Sequence, residues 1–416
     1  MWWLLLPLAF VSGAGAQFPR ACTQPGALKA KICCPIWEQD GSACGGKSSR
    51  GSCEAPNDIW SPEPSRRDFR TAWPSSFFSR ICVCTGNFAG FDCGECKEGY
   101  RGADCQRWVV TVRLGVHEMD QAARSRFIDQ LLLAKNTVSE RYMVLTSPRT
   151  SDVNSYSFHN ATVYDVCTWV HYIAAKPVKT RLDPNFAHMG AAFPVWHRKY
   201  LAFFESEIRL LTKDEDFFVP YWNWTREVDC DVCTDEFLGA NDPNGVLLHP
   251  SRFANWELQL QAPATGCRCG TGSDFYSSSS HRERLGQGYE CPLLQILCTY
   301  DGDEDDNFEV ICPNPKGKIT LLSRNPGKNF RARRLPTAQD VSKVLQLKYY
   351  DSFPYNQYAP FSFRNSLEGF KDPNHPGRST IALHNLVHIY LNGTISQVPS
   401  ASNDPIFMLH HAFIDK

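Results

Sequence analysis

The chain has 416 residues, 43% of them hydrophobic and 12% aromatic, which suffices for one large domain with its own core plus a smaller module. Its formal net charge is −1 and its Lys and Arg residues are scattered, which argues against a partner held by charge, whether nucleic acid or an anionic membrane surface. Its 18 cysteines argue equally against a reducing compartment.

In chain order, Met1-Trp2-Trp3-Leu4-Leu5-Leu6 opens an apolar run that gives way to small residues and an A-x-A cleavage site, Ala14-Gly15-Ala16. Residues 1–16 are therefore expected to be a secretory signal, although basic leader residues are missing. No later stretch approaches the apolar length of a membrane span. Ten cysteines follow: Cys22, Cys33, Cys34, Cys44, Cys53, Cys82, Cys84, Cys93, Cys96 and Cys105. Rich in Gly, Ser and Pro and poor in helical periodicity, residues 17–106 are expected to form a loop-rich module stapled by about five disulfides. Its second half, from Cys82-Val83-Cys84 to Cys105, resembles an epidermal-growth-factor-like (EGF-like) repeat, for which a stalk or docking surface is the plainest role. A zinc site is the other reading of Cys93-x-x-Cys96, and secretion argues against it.

From Trp108 onward the pattern is mostly helical between long loops. Residues 195–211 carry Leu201, Phe204, Ile208 and Leu211 at helical spacing, with His197 in line. Residues 381–391 form a second amphipathic run, closed by Asn392-Gly393. A third helix is expected from Asp404 as N-cap with Pro405 at its first position, and residues 166–173 are a fourth apolar stretch. Residues 262–315, with an acidic run at 301–306 and five cysteines (Cys267, Cys269, Cys291, Cys298, Cys312), are expected to be a solvent-exposed insertion. Sequons stand at Asn160, Asn223 and Asn392; Asn160 and Asn392 are expected to carry glycans, whereas Asn223, between Trp222 and Trp224, is expected to be too buried.

Seven of the 12 histidines fall into two clusters, His171, His188 and His197, then His384, His388, His410 and His411. His384 and His388 share one helical face a turn apart. Zinc proteases use that spacing but need Glu after the first His, where this chain has Asn385. A buried structural pair is the bland alternative. Against it, His197 follows Trp196, His411 lies a turn after Phe407 and His171 follows Trp169. Helices that each project histidines inward are how bundle cores build dinuclear metal sites. Three neutral imidazoles per ion suit copper and leave positions open for dioxygen.

Together with Gly86-Asn87-Phe88, Phe186-Ala187-His188, Pro220-Tyr221-Trp222, Cys230-Asp231-Val232-Cys233, Phe363-Arg364-Asn365 and Asn403-Asp404-Pro405-Ile406-Phe407, these clusters resemble the tyrosinase family of type 3 copper proteins, in its vertebrate-type branch. The resemblance runs from Phe18 to Lys416. It implies a mainly α fold, with a four-helix-bundle dicopper domain over residues 107–416 behind the EGF-like module, and a Cys230–Cys233 pair among the disulfide cysteines. It implies two copper ions, one on His171, His188 and His197 and one on His384, His388 and His411, with molecular oxygen as co-substrate and zinc as the alternative metal. His410 matches a position that is His in tyrosinases proper and Leu in the related proteins, and is expected beside the metal without ligating it. Phe407 resembles an aromatic that steadies a ligand ring. Asn385 and Glu368 resemble a pair that holds a water to deprotonate a phenol, and Val398 and Ala401 fall in the loop at the pocket mouth. Cys167 is expected to be a buried thiol with no cross-link to a ligand histidine.

The implied activity is oxidation of tyrosine- and dopa-type phenols to o-quinones in melanin synthesis. The alternatives are a zinc-dependent dopachrome tautomerase, a dihydroxyindole oxidase or an inactive oxygen-binding paralogue. The implied location is the secretory pathway and the melanosome, in its lumen or membrane, with secretion as the alternative. Three features depart from the family pattern: a shorter loop between His171 and His188, a longer insertion, and an end at Lys416, shortly after His411, without the family's membrane anchor.

Overall fold

A computed structural model describes residues 17–56, 77–146, 157–175, 185–258, 296–298, 309–311, 321–373 and 380–416. The expected signal and nearly all of the expected insertion, including four of its five cysteines, lie outside the described residues. The chain divides into two compact units, one of Met1–Val112, Ser139–Ala161 and Leu297–Glu309, the other of Arg113–Val138, Thr162–Ile296 and Val310–Lys416.

Among the described residues the first unit has mostly short strands, one short α-helix, α1 (Pro25–Ala30), and the five disulfides Cys22–Cys33, Cys34–Cys53, Cys44–Cys82, Cys84–Cys93 and Cys96–Cys105. A segment with so few large apolar residues cannot be held by burial alone, and the cross-links restrict its unfolded chain instead. At its centre the buried Arg50 donates to the carbonyls of Cys93, Gly94 and Ala103, with its guanidinium over the rings of Trp37 and Phe88. A planar five-donor cation satisfies several loop carbonyls at once, as a small apolar side chain could not.

Gln17–Pro19 pairs antiparallel with Val138–Thr146, and Ser157–Thr162 completes the three-stranded sheet. These last two strands interrupt the helical pattern expected from Trp108 onward. Buried Ser139, Tyr142 and Val144 do not alternate cleanly, so the period-2 signature is weak there.

Among the described residues the second unit has seven α-helices: α2 (Gln121–Asn136), α3 (Val163–Ala174), α4 (Phe193–Thr212), α5 (Ala338–Leu345), α6 (Phe363–Glu368), α7 (Leu383–Leu391) and α8 (Ile406–Asp415). Every residue of α3 is buried, as expected of a helix that is apolar all round, and the Thr162 hydroxyl caps it by accepting from the Asp165 N–H. In α4, Pro194 stands in the first turn, and Phe193, His197, Tyr200, Leu201, Phe204 and Ile208 bury one face. Helix α7 ends at Asn392 and Gly393, both at positive φ; a Cβ on Gly393 would lie 2.3 Å from the Ser323 carbonyl oxygen. Helix α4 packs against α3 and α8, and α8 against α7.

Helix α8 starts at Ile406, one residue later than the sequence suggests, but Asp404 still serves its N-terminus: Oδ1 accepts the Ile406 N–H at 2.9 Å. The Asp404 carboxylate is gripped by the Arg324 fork at 2.7 and 2.8 Å, with both side chains fully buried. Arg324 Nη1 also donates to the Leu238 carbonyl at 2.6 Å. Arg324→Met would leave a buried carboxylate without its partner, and we expect it to lower the unfolding free energy in urea by roughly 3–5 kcal/mol.

Candidate metal centre

His171 projects from α3, His197 from α4, His384 and His388 from α7, and His410 and His411 from α8; His188 lies in the turn segment before α4. That segment is shaped by Asn185, whose Oδ1 accepts the N–H groups of Ala187 and His188. In the first cluster the ring centroids of His171, His188 and His197 lie 4.9–5.8 Å apart. In the second, the His384 ring lies 4.4 Å from His388 and 4.8 Å from His411. The clusters touch, for His197 stacks on His411 at 4.2 Å. Phe407 bridges them, 4.7 Å from His171 and 4.1 Å from His411. All seven histidines are buried.

Hydrogen bonds decide which ring nitrogens are available. His197 Nδ1 lies 2.8 Å from the Phe193 carbonyl oxygen and His388 Nδ1 lies 2.7 Å from that of Ile395. His384 Nδ1 faces the Glu368 carbonyl at 3.2 Å and Asn385 Oδ1 at 3.0 Å. Because these oxygens only accept, each Nδ1 carries the proton, and in the neutral ring each Nε2 is left as a bare lone pair.

The Nε2 atoms of His384 and His388 nevertheless approach to 3.0 Å, and His384 and His411 to 3.2 Å. With no proton to place between His384 and His388, the contact is repulsive until a cation lies beside both. A transition ion with metal–nitrogen bonds of about 2.0–2.1 Å sets its ligand nitrogens roughly 3.0–3.4 Å apart. In the first cluster His197 Nε2 and His188 Nδ1 are buried without hydrogen-bond partners. The donor sets fit metal ions.

Burial and the neighbouring imidazoles hold His188, His384 and His411 well below the ordinary histidine range. Burial brings His197 down to about 3 and His388 to about 4. All are therefore neutral at physiological pH, the form that binds metal.

Glu368 is buried at the end of α6. Its Oε1 accepts the Met189 N–H at 2.6 Å and its Oε2 lies 3.4 Å from Arg364. Burial pushes its carboxyl up to about 8, with the Met189 and Arg364 contacts acting the other way. It reaches His384 because Gly369, at φ +102, passes so close to the Ala382 carbonyl oxygen that a Cβ would sit 2.0 Å away. Val398 is 48% exposed while Ala401 is buried, so of these two residues of one 3-10 turn only Val398 meets solvent. Cys167 is buried and forms no disulfide, and Cys230 is joined to Cys233. Asn160 is exposed and accepts from Arg20 at 2.9 Å; Asn392 and Asn223 are both half-buried.

Sequence reasoning did not foresee the main-chain oxygens of Phe193, Ile395 and Glu368, because every residue carries one. Trp224 was also missed: its indole N–H donates to His410 Nδ1 at 3.1 Å. The only signal for it was the aromatic pair Trp222 and Trp224 itself.

Residues 161–416 match the family model described as the common central domain of tyrosinase. The chain is 38% identical to a tyrosinase of Bos taurus over 427 residues, covering 98% of this chain and 72% of that protein. It is 37% identical to one of Gallus gallus, covering 99% and 73%. A 5,6-dihydroxyindole-2-carboxylic acid oxidase of Mus musculus is 32% identical, covering 99% and 75%. With a family model over more than half its length and vertebrate tyrosinases matching nearly all of it, the chain belongs to the tyrosinase family of copper-dependent oxidoreductases.

Proposed function

We propose that the chain is a two-copper oxidase of small phenols, hydroxylating monophenols such as tyrosine and oxidising o-diphenols such as dopa to o-quinones, with dioxygen as co-substrate. One copper belongs to His171, His188 and His197 and the other to His384, His388 and His411, inside a four-helix bundle of α3, α4, α7 and α8. The observation that carries this reading is the contact of two buried, neutral imidazole trios in which three Nδ1 protons are committed to oxygen acceptors. Higher identity to tyrosinases than to the dihydroxyindole oxidase supports phenol over indole chemistry.

When bound, the copper pair supplies the redox chemistry, and the protein supplies position and access. Phe407 packs on ligand rings of both trios and fixes their tilt. The Asn385 amide oxygen and the Glu368 main-chain carbonyl share the Nδ1 side of His384, and we assign the side chains of these two residues to orient a water that takes the phenol proton. We expect Glu368→Gln to slow monophenol hydroxylation about 100-fold while slowing catechol oxidation far less, as measured by paired assays. Val398 meets the substrate at the pocket mouth, with Ala401 beneath the same loop.

Residues 17–106 are assigned to the EGF-like module and Asn160 and Asn392 to glycans, in a protein of the secretory pathway bound for the melanosome. Among the described residues no helix is long and apolar enough to cross a membrane. The test is reconstitution of the folded chain with copper: o-quinone formed from tyrosine supports the reading, and a copper-loaded chain that forms none refutes it.

A further inference from the structure

His410 stands among the second trio as a fourth imidazole, its ring 4.9–5.2 Å from those of His384, His388 and His411, and nearly parallel to His384 at 15°. By proximity it competes with His411 for the metal, since a ligand atom from each of the four lies within 4.8 Å of the others. Its hydrogen bonding is the reverse of its neighbours'. His197, His384 and His388 each turn Nδ1 toward an oxygen that accepts, whereas His410 Nδ1 faces Trp224 Nε1–H at 3.1 Å. An indole nitrogen can only donate, so His410 Nδ1 holds the lone pair and the proton of the neutral ring sits on Nε2. One nitrogen is thus occupied by the indole and the other by hydrogen.

The indole is itself held firmly. Trp224 is 1% exposed, and two residues earlier the Trp222 N–H donates to the Leu409 carbonyl of α8 at 3.1 Å. The Trp222 indole N–H donates to Asp231 at 2.7 Å, in the loop closed by Cys230–Cys233. The segment 222–224 therefore clamps α8 at two successive residues, Leu409 and His410, immediately before His411.

We propose that His410 is a positioning residue and not a metal ligand: Trp224 locks its tautomer, and the locked ring, stacked on His384, sets where α8 presents His411 to the second metal. This rests on the two-copper reading above. The related consequence is that the Trp224–His410 pair acts as a unit, so that losing either member costs about as much as losing both.

The test uses the full chain and copper as the probe, with binding followed by competition against a chelator, together with ¹⁵N spectra of the histidine rings in the metal-free protein. The expected results are a His410 ring protonated at Nε2 and two coppers bound by wild type, H410Q, H410L and W224F alike. The second copper is held 10–100-fold more weakly in H410L and W224F, the double variant is no worse than either, and H410Q is largely restored because an amide can accept from Trp224 and donate in turn. An H410L or W224F chain that folds but binds one copper, a ring protonated at Nδ1, or unchanged affinity in both variants overturns the proposal. Should H410L fail to fold, W224F and H410Q decide alone. A wild-type chain that takes up no copper pair instead sinks the functional reading, which separates the two failures.

Discussion

Replacing His384 by Ala is expected to reduce bound copper from two ions to one per chain and to lower dopa oxidation by more than 100-fold. His384 is the shared vertex of the second trio, with Nε2 3.0 Å from that of His388 and 3.2 Å from that of His411. Its own Nδ1 is fixed by the Glu368 carbonyl and the Asn385 amide oxygen. Removing an outer partner of a ligand histidine already costs 10–100-fold, so losing the ligand itself costs more. His117, which is exposed and pairs with Asp231 at 2.8 Å, provides the control. H117A is expected to keep both coppers, measured by elemental analysis alongside quinone formation.

The second large effect is on pH. In the metal-free chain His388 is pulled from the ordinary value of 6.5 to about 4 and His197 to about 3, chiefly by burial. A base with a lowered pKa binds fewer protons when folded than when unfolded. Its stabilisation is therefore complete above about pH 6.5 and is lost as pH falls toward the folded value. For His388 alone the loss is on the order of 3 kcal/mol by pH 4. His188, His384 and His411 shift in the same direction, so unfolding should sharpen between pH 6.5 and 4. Copper should leave in the same window, because protons and metal compete for the same nitrogens. Urea midpoints of the metal-free chain at pH 7, 6, 5 and 4 check this; a midpoint constant across the range contradicts it. Glu368 works against the trend: its raised carboxyl value favours the folded state at low pH, but it is one group against several imidazoles.

Much of this site was legible before any coordinates, because its residues sit on strongly periodic segments. Residues 195–211 and 381–391 carried the helical spacing that became α4 and α7, and Asn392-Gly393 marked the end of α7 through its positive-φ backbone. The five disulfides of the first unit followed from cysteine density, but their pairing did not, since spacing alone leaves many connectivities open. The strand Val138–Thr146 was hidden because its burial does not alternate and one of its two partners, Gln17–Pro19, lies far away in sequence. Arg324 gave no local signal of its burial, for an arginine at zero exposure is explained only by a carboxylate 80 residues away. The protonation pattern of the histidines was hidden for the same reason: it is written by main-chain oxygens and one indole.

The most direct measurement of the central claim is anomalous diffraction at the copper edge from crystals of the copper-loaded chain. The account predicts two peaks, one among the ring nitrogens of His171, His188 and His197 and one among those of His384, His388 and His411, with His410 outside bonding distance. A single peak, or copper bound away from either trio, would contradict it.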